Sequence, residues 1–122
     1  MIADEAVERR MEQIKNIVSD LILPFNSGNE TMFVGRNVQV FAGVEHVHLK
    51  ENDEVAALIG FEMYLGDYQY KKNVYVPDIA EDYFEHSWQI RLYEIATDIK
   101  KIFYYLLRTM LEDAMQMVIN GE

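Results

Sequence analysis

The last third of the chain constrains the fold most. From Trp88 to Val118, apolar residues recur at helical spacing. Trp88, Leu92, Ile95, Ile99, Ile102, Leu106, Met110 and Met117 hold one stripe, and Ala114 fills the missing step. Phe103, Leu107, Leu111 and Val118 widen that stripe. A helix over 88–118 would be roughly 45 Å long at about 1.5 Å per residue. A compact body of 122 residues is only about 35 Å across. Either the helix breaks, or part of its stripe projects and is buried by another copy. The spacing therefore predicts self-association through this helix, with Ile99, Phe103, Leu106 and Met110 as the interface between copies. The run Ile102-Phe103-Tyr104-Tyr105-Leu106-Leu107 is apolar or aromatic around most of the helix, which fits contact on two sides. A start signal at Ser87 divides this helix from a shorter one expected over 79–86. Asp78 and Glu81, three apart, resemble a capping box at the start of the shorter one.

The N-terminal segment, residues 3–23, reads as a second amphipathic helix. Val7, Met11, Ile14, Val18 and Leu21 line one face, and Asp4, Glu5 and Glu8 complement the positive end of its dipole. Pro24 is expected to end it, because the residue before a proline is pushed out of the helical region. The middle of the chain alternates with period two. Val55, Ala57, Ile59, Phe61, Met63 and Leu65 fall on one face of a strand; Ala56, Leu58, Gly60, Glu62 and Tyr64 fall on the other. Before it, Val38, Val40 and Ala42 are followed by Val47 and Leu49 in the opposite phase. That shift implies a β-bulge near Gly43 to Glu45 or burial on both faces. Gly66-Asp67 makes a turn, and Tyr68, Tyr70, Val74 and Val76 share one side of the next strand. Connections this short favour an antiparallel meander. The expectation is a single α+β domain over 1–122: an N-terminal helix, three to four antiparallel strands, and a long C-terminal helix or helix pair.

Charge narrows the partners. The chain has 21 acids against 11 Lys and Arg, a formal charge of −10. The stretches 45–67 and 78–85 hold nine of the ten excess negative charges. The bases are scattered, and the adjacent pairs away from acids are Lys71-Lys72 and Lys100-Lys101, which argues against direct binding to nucleic acid or to an anionic membrane. The complement is a basic protein surface. Tyrosines interleaved with acids suit arginine-rich surfaces through ion pairing and cation–π contact. The expected docking residues are Glu51, Asp53, Glu54, Glu62, Asp67, Tyr68, Tyr70, Glu81, Asp82 and Glu85.

Catalytic signatures are sparse. With no cysteine, thiolate zinc sites, disulfides and cysteine nucleophiles are excluded. The three serines sit in no nucleophile elbow, and the six glycines form no phosphate-cradling loop. His46 and His48 share a strand face and could join His86 around zinc, but two residues on an alternating strand make a short motif, so no metal or cofactor is expected. Glu81 with Glu85 and Glu94 with Asp98 are spaced as helical neighbours, which is also how a solvated face looks. The triplet Asn29-Glu30-Thr31 matches a glycosylation acceptor, but the acidic start lacks the regions of a secretory signal. The sequence thus leads to a non-enzymatic, homo-oligomeric, cytoplasmic interaction protein docking on a basic partner. One version is a nucleic-acid-mimicking inhibitor, similar in size and composition to phage anti-defence proteins. The alternatives are a small chaperone or assembly component that holds clients on apolar surface and, below it, a metal- or ligand-dependent enzyme.

Overall fold

The computed structural model describes residues 3–26, 31–33, 36–49, 54–81 and 84–119. The order of elements is α1 (Asp4–Asn26), β1 (Thr31–Phe33), β2 (Arg36–Leu49), β3 (Glu54–Leu65), β4 (Tyr68–Val76) and α2 (Glu85–Ile119). The four strands form one antiparallel sheet in sequence order, so the α+β architecture and the meander are as the alternation implied. Both helices lie on one face of the sheet, α1 over β2 and α2 over β3 and β4.

β3 supplies the floor of the core. Val55, Ala57, Ile59, Phe61, Met63 and Leu65 are all buried, facing the helices. The helices answer with Val7, Met11, Ile14 and Val18 from α1, and with Trp88, Ile95, Ile99, Phe103, Leu106, Met110 and Ala114 from α2. Phe103 sits at the centre, its ring 5.5 Å from that of Phe61 and 5.7 Å from that of Phe25. β3 and β4 meet in the two-residue turn Gly66-Asp67. Gly66 there has φ 59°, a backbone region that favours a residue without Cβ.

The long C-terminal helix corrects the expected interface. Ile99, Phe103, Leu106 and Met110 are buried inside the chain's own core, so this stripe needs no second copy to cover it. α2 is one unbroken helix of 35 residues, about 52 Å long. It fits because the body is not a sphere: β2 and β3 have 14 and 12 residues and extend about 46 and 40 Å. A long hairpin gives a long helix somewhere to lie.

Two local expectations also change, and a choice between two others is decided. α1 runs to Asn26 with Pro24 inside its last turns; Leu21, Ile22 and Phe25 pack on the core there, and the ring contact of Phe25 with Phe103 holds the final turn against the cost of the proline. The β2–β3 register is unbroken from Val38↔Leu65 to Leu49↔Glu54, with no bulge at Gly43 to Glu45. Of the two alternatives, partial burial on both faces holds: Ala42 and Val44 are half-buried on the helix side and Val47 and Leu49 on the opposite face, while His46 and His48 continue on the helix side but are exposed. Finally, the segment expected as a helix over 79–86 begins as a turn. Asp78 has φ 63°, Glu81 N–H reaches Asp78 O at 3.5 Å, and α2 starts at Glu85 with Ser87 inside it.

That turn is fastened by hydrogen bonds. Asp78 N–H donates to Glu54 Oε1 at 3.0 Å, and Ile79 N–H donates to Val55 O at 3.3 Å. From α1, the buried Arg10 donates through Nη1 to Ile79 O at 2.9 Å and to Glu81 O at 2.7 Å. Its guanidinium lies 4.5 Å from the centre of the Trp88 ring, whose Nε1–H donates to Gln13 Oε1 at 2.8 Å. One cation thereby joins α1, the exit from the sheet and the start of α2. Arg10→Ala should lower stability in urea denaturation by about 3 kcal/mol, from lost charge-assisted hydrogen bonds and the ring contact. Arg10→Lys should restore less than half of that, since an ammonium cannot stack and bridge as a planar guanidinium does.

Candidate binding groove on the uncovered face of the sheet

Among the described residues, no helix or second sheet lies over the middle of the sheet's other face, although Ala56 toward one end of it is buried; the strand register sets out its rows. Phe41, Glu62 and Lys71 lie side by side across β2, β3 and β4; so do Gly43, Gly60 and Asn73, and then Glu45, Leu58 and Tyr75. The glycine row has almost no side-chain height, so a groove of about 490 Å³ opens over it. Gly43, Val44, Glu45, Leu58, Gly60, Glu62 and Asn73 line it. Its two walls are four residues apart along each strand, about 13 Å. A Cβ on Gly43 would meet nothing within 4 Å, whereas one on Gly60 would come within 3.3 Å of Asn73 Oδ1.

One wall is held in place by its own bonds. Gln69 Nε2 donates to Tyr64 Oη at 3.0 Å, and Tyr64 O–H donates to Glu62 Oε2 at 3.0 Å. The Tyr64 ring meets Phe41 edge-on at 6.0 Å. Lys71 Nζ stands 3.9 Å from Glu62 Oε1, with both side chains about half exposed, a pair worth little in water. The opposite wall carries the exposed Glu45 beside Leu58 and the 54% exposed Tyr75. Chemically this is a shallow trough with a carboxylate on each wall, apolar surface at Leu58, and aromatic rings at its borders. It suits a guanidinium or ammonium group whose aliphatic stem lies along the floor.

Of the residues expected to dock a partner, the described ones do not share one surface. Glu51, Asp53 and Asp82 lie outside the described residues. Glu54 is half-buried and spends its Oε1 on the Asp78 amide. Glu62 is in the groove wall. Asp67 is exposed in the β3–β4 turn. Glu81 and Glu85 are exposed around the start of α2 but are not neighbours on one helix, because α2 begins at Glu85, whose carboxylate accepts from Gln89 at 3.0 Å. Tyr68 and Tyr70 occupy the other face of β4, against α2. Burial, and then the Asp113 carboxylate, raise both phenols above the ordinary value of 10.0. Glu94 is 3.5 Å from Arg91 on α2.

His46 and His48 stack edge-on at 6.1 Å on the helix side of β2, and His86 is exposed in the first turn of α2. Among the described residues, no three of His, Asp and Glu are grouped to hold a metal ion, no buried side-chain nitrogen or oxygen lacks a partner, and no helix is long and apolar enough to cross a membrane. The groove itself was missing from the expected site, apart from Glu62. Its signal was available: Gly43 and Gly60 stand equally far from the midpoint of the connection near Glu51, so a symmetric hairpin puts them opposite each other. Comparison with protein-family models, with curated proteins and with solved structures finds no match for the chain.

Two outcomes follow. Gly43→Leu should fold at least as well as the parent, gaining about 0.5–1 kcal/mol from lower chain entropy, while filling the groove. Because Tyr68 and Tyr70 bind their protons more tightly when folded, their stabilisation is complete below the ordinary tyrosine value of 10.0 and is lost as pH climbs above it. Thermal melts between neutral pH and pH values above that point should show this decline, and Tyr68→Phe with Tyr70→Phe should flatten it.

Proposed function

We propose that the chain is a non-enzymatic protein-interaction module that docks a basic segment of a protein partner in the groove on the uncovered face of its sheet. The observation that supports this most is the pairing of Glu45 and Glu62 across a glycine floor, with Tyr64, Phe41 and Tyr75 at the rims. A carboxylate on each wall favours a cation between them, and aromatic rims add contact area and cation–π attraction. The overall charge of −10 steers a basic partner toward the chain, raising the rate of encounter, while the groove supplies the place. A cysteine-free chain suits a reducing compartment, and the reading takes the cytoplasm as its place of work. Docking at the groove needs no imitation of nucleic acid.

The test separates site from net charge. Binding of a short arginine-rich peptide is measured by calorimetry at low and physiological salt. Glu45→Gln with Glu62→Gln should weaken it roughly tenfold, while Glu8→Gln with Glu12→Gln on α1, the same change in net charge, should weaken it less than about twofold. Gly43→Leu should weaken binding without any change in charge. Equal losses in the two double variants would mean that the peptide reads total charge and not the groove.

A further inference from the structure

The solvent faces of the two helices differ. Outward-facing α1 is polar, with Glu8, Glu12, Lys15, Asn16, Ser19 and Asp20 exposed and Leu23 as its large apolar exception among the described residues. Outward-facing α2 exposes Ile90 at 51%, Tyr93 at 76%, Tyr104 at 49% and Tyr105 at 68%. At 3.6 residues per turn these four, with Glu94, Thr97 and Lys101, fall in a sector of roughly 120° directly opposite the buried stripe. The stripe that suggested self-association is occupied within the chain; this second stripe is not.

We propose that the outward face of α2 docks on the same face of a second copy, with the two helices antiparallel and crossing near Thr97. The charges select this arrangement. In a parallel pair each residue meets its own kind, Glu94 against Glu94 and Lys101 against Lys101. Antiparallel packing sets Glu94 of one copy against Lys101 of the other, twice, once on each side of the two-fold axis. The same register places Ile90 beside Tyr105 and Tyr93 beside Tyr104, so apolar and aromatic area is buried on both flanks of the charged centre. Arg91 Nη1 lies 3.5 Å from the Glu94 carboxylate in the same helix, on the flank of this face. The surface is self-complementary, which is what an isologous dimer requires. It is independent of the groove, which faces away from α2, and a dimer would present two grooves on its two outer sides.

The chain has no cysteine, so single introduced thiols report cleanly. Thr97 is exposed, and its Oγ1 bonds only to the Tyr93 carbonyl of its own helix in the contacts seen; Thr97→Cys therefore tests the crossing point without touching the core. Light scattering of the parent at micromolar concentration should return twice the chain mass of 14.3 kDa. Thr97→Cys should form a covalent dimer on mild oxidation, and Ser19→Cys on α1 should not. Lys101→Glu, which would set carboxylates against each other at both places, should weaken the dimer roughly tenfold or more, and adding Glu94→Lys should restore it. A parent that stays at 14.3 kDa overturns the proposal, as does a Lys101→Glu variant that dimerises as tightly as the parent. Loss of peptide binding in the groove variants with the dimer intact would bear on the groove alone.

Discussion

A buried cation ties together three parts of this fold: α1, the exit from the sheet and the start of α2. Arg10 comes from α1, its hydrogen bonds go to two carbonyls just past β4, and its flat face covers the first buried ring of α2. Removing a guanidinium from water is costly, and here the cost is met by charge-assisted hydrogen bonds and an aromatic face. A second contact fifteen residues further along both helices, Phe25 on Phe103, completes the alignment. The two contacts share one spacing, so α1 and α2 run side by side in the same direction.

One-sided coverage follows from that alignment. With both helices tied together on the same face, the core is complete: every inward residue of β3 is buried between sheet and helices. Among the described residues the middle of the other face carries no helix, and its row of glycine, glycine and asparagine makes a trough where a fully substituted sheet would be flat. The fold therefore accounts for a groove without any special loop to build it. It also accounts for the length of α2, which lies along strands nearly as long as itself.

The core face of β3, the Gly66-Asp67 turn and the face shared by Tyr68, Tyr70, Val74 and Val76 were legible in the sequence, because a half-buried strand writes its environment with period two. The apolar stripe of α2 was legible too, but not its partner: periodicity shows that Phe103 and Met110 are buried without showing whether sheet or second copy buries them. Pro24 was misleading because local preference said stop while the contact of Phe25 with the core held the turn. His46 and His48 mark a break in phase that partial burial on both faces explains, since they reach past the cover of the helices without any bulge. Arg10 gave no signal at all. An arginine in an amphipathic helix reads as surface, and only the carbonyls of residues 69 and 71 positions away reveal it as a clamp.

The central functional claim is that the uncovered sheet face, and not the acidic surface at large, receives a basic segment. The most direct measurement is a nuclear magnetic resonance titration of the labelled chain with a short arginine-rich peptide, following amide and side-chain shifts at physiological salt. The account predicts the largest changes at Gly43, Glu45, Gly60, Glu62 and Asn73, with small ones at Asp67, Glu81 and Glu85. Shifts concentrated at Asp67, Glu81 and Glu85, with Gly43 and Gly60 unmoved, would contradict it.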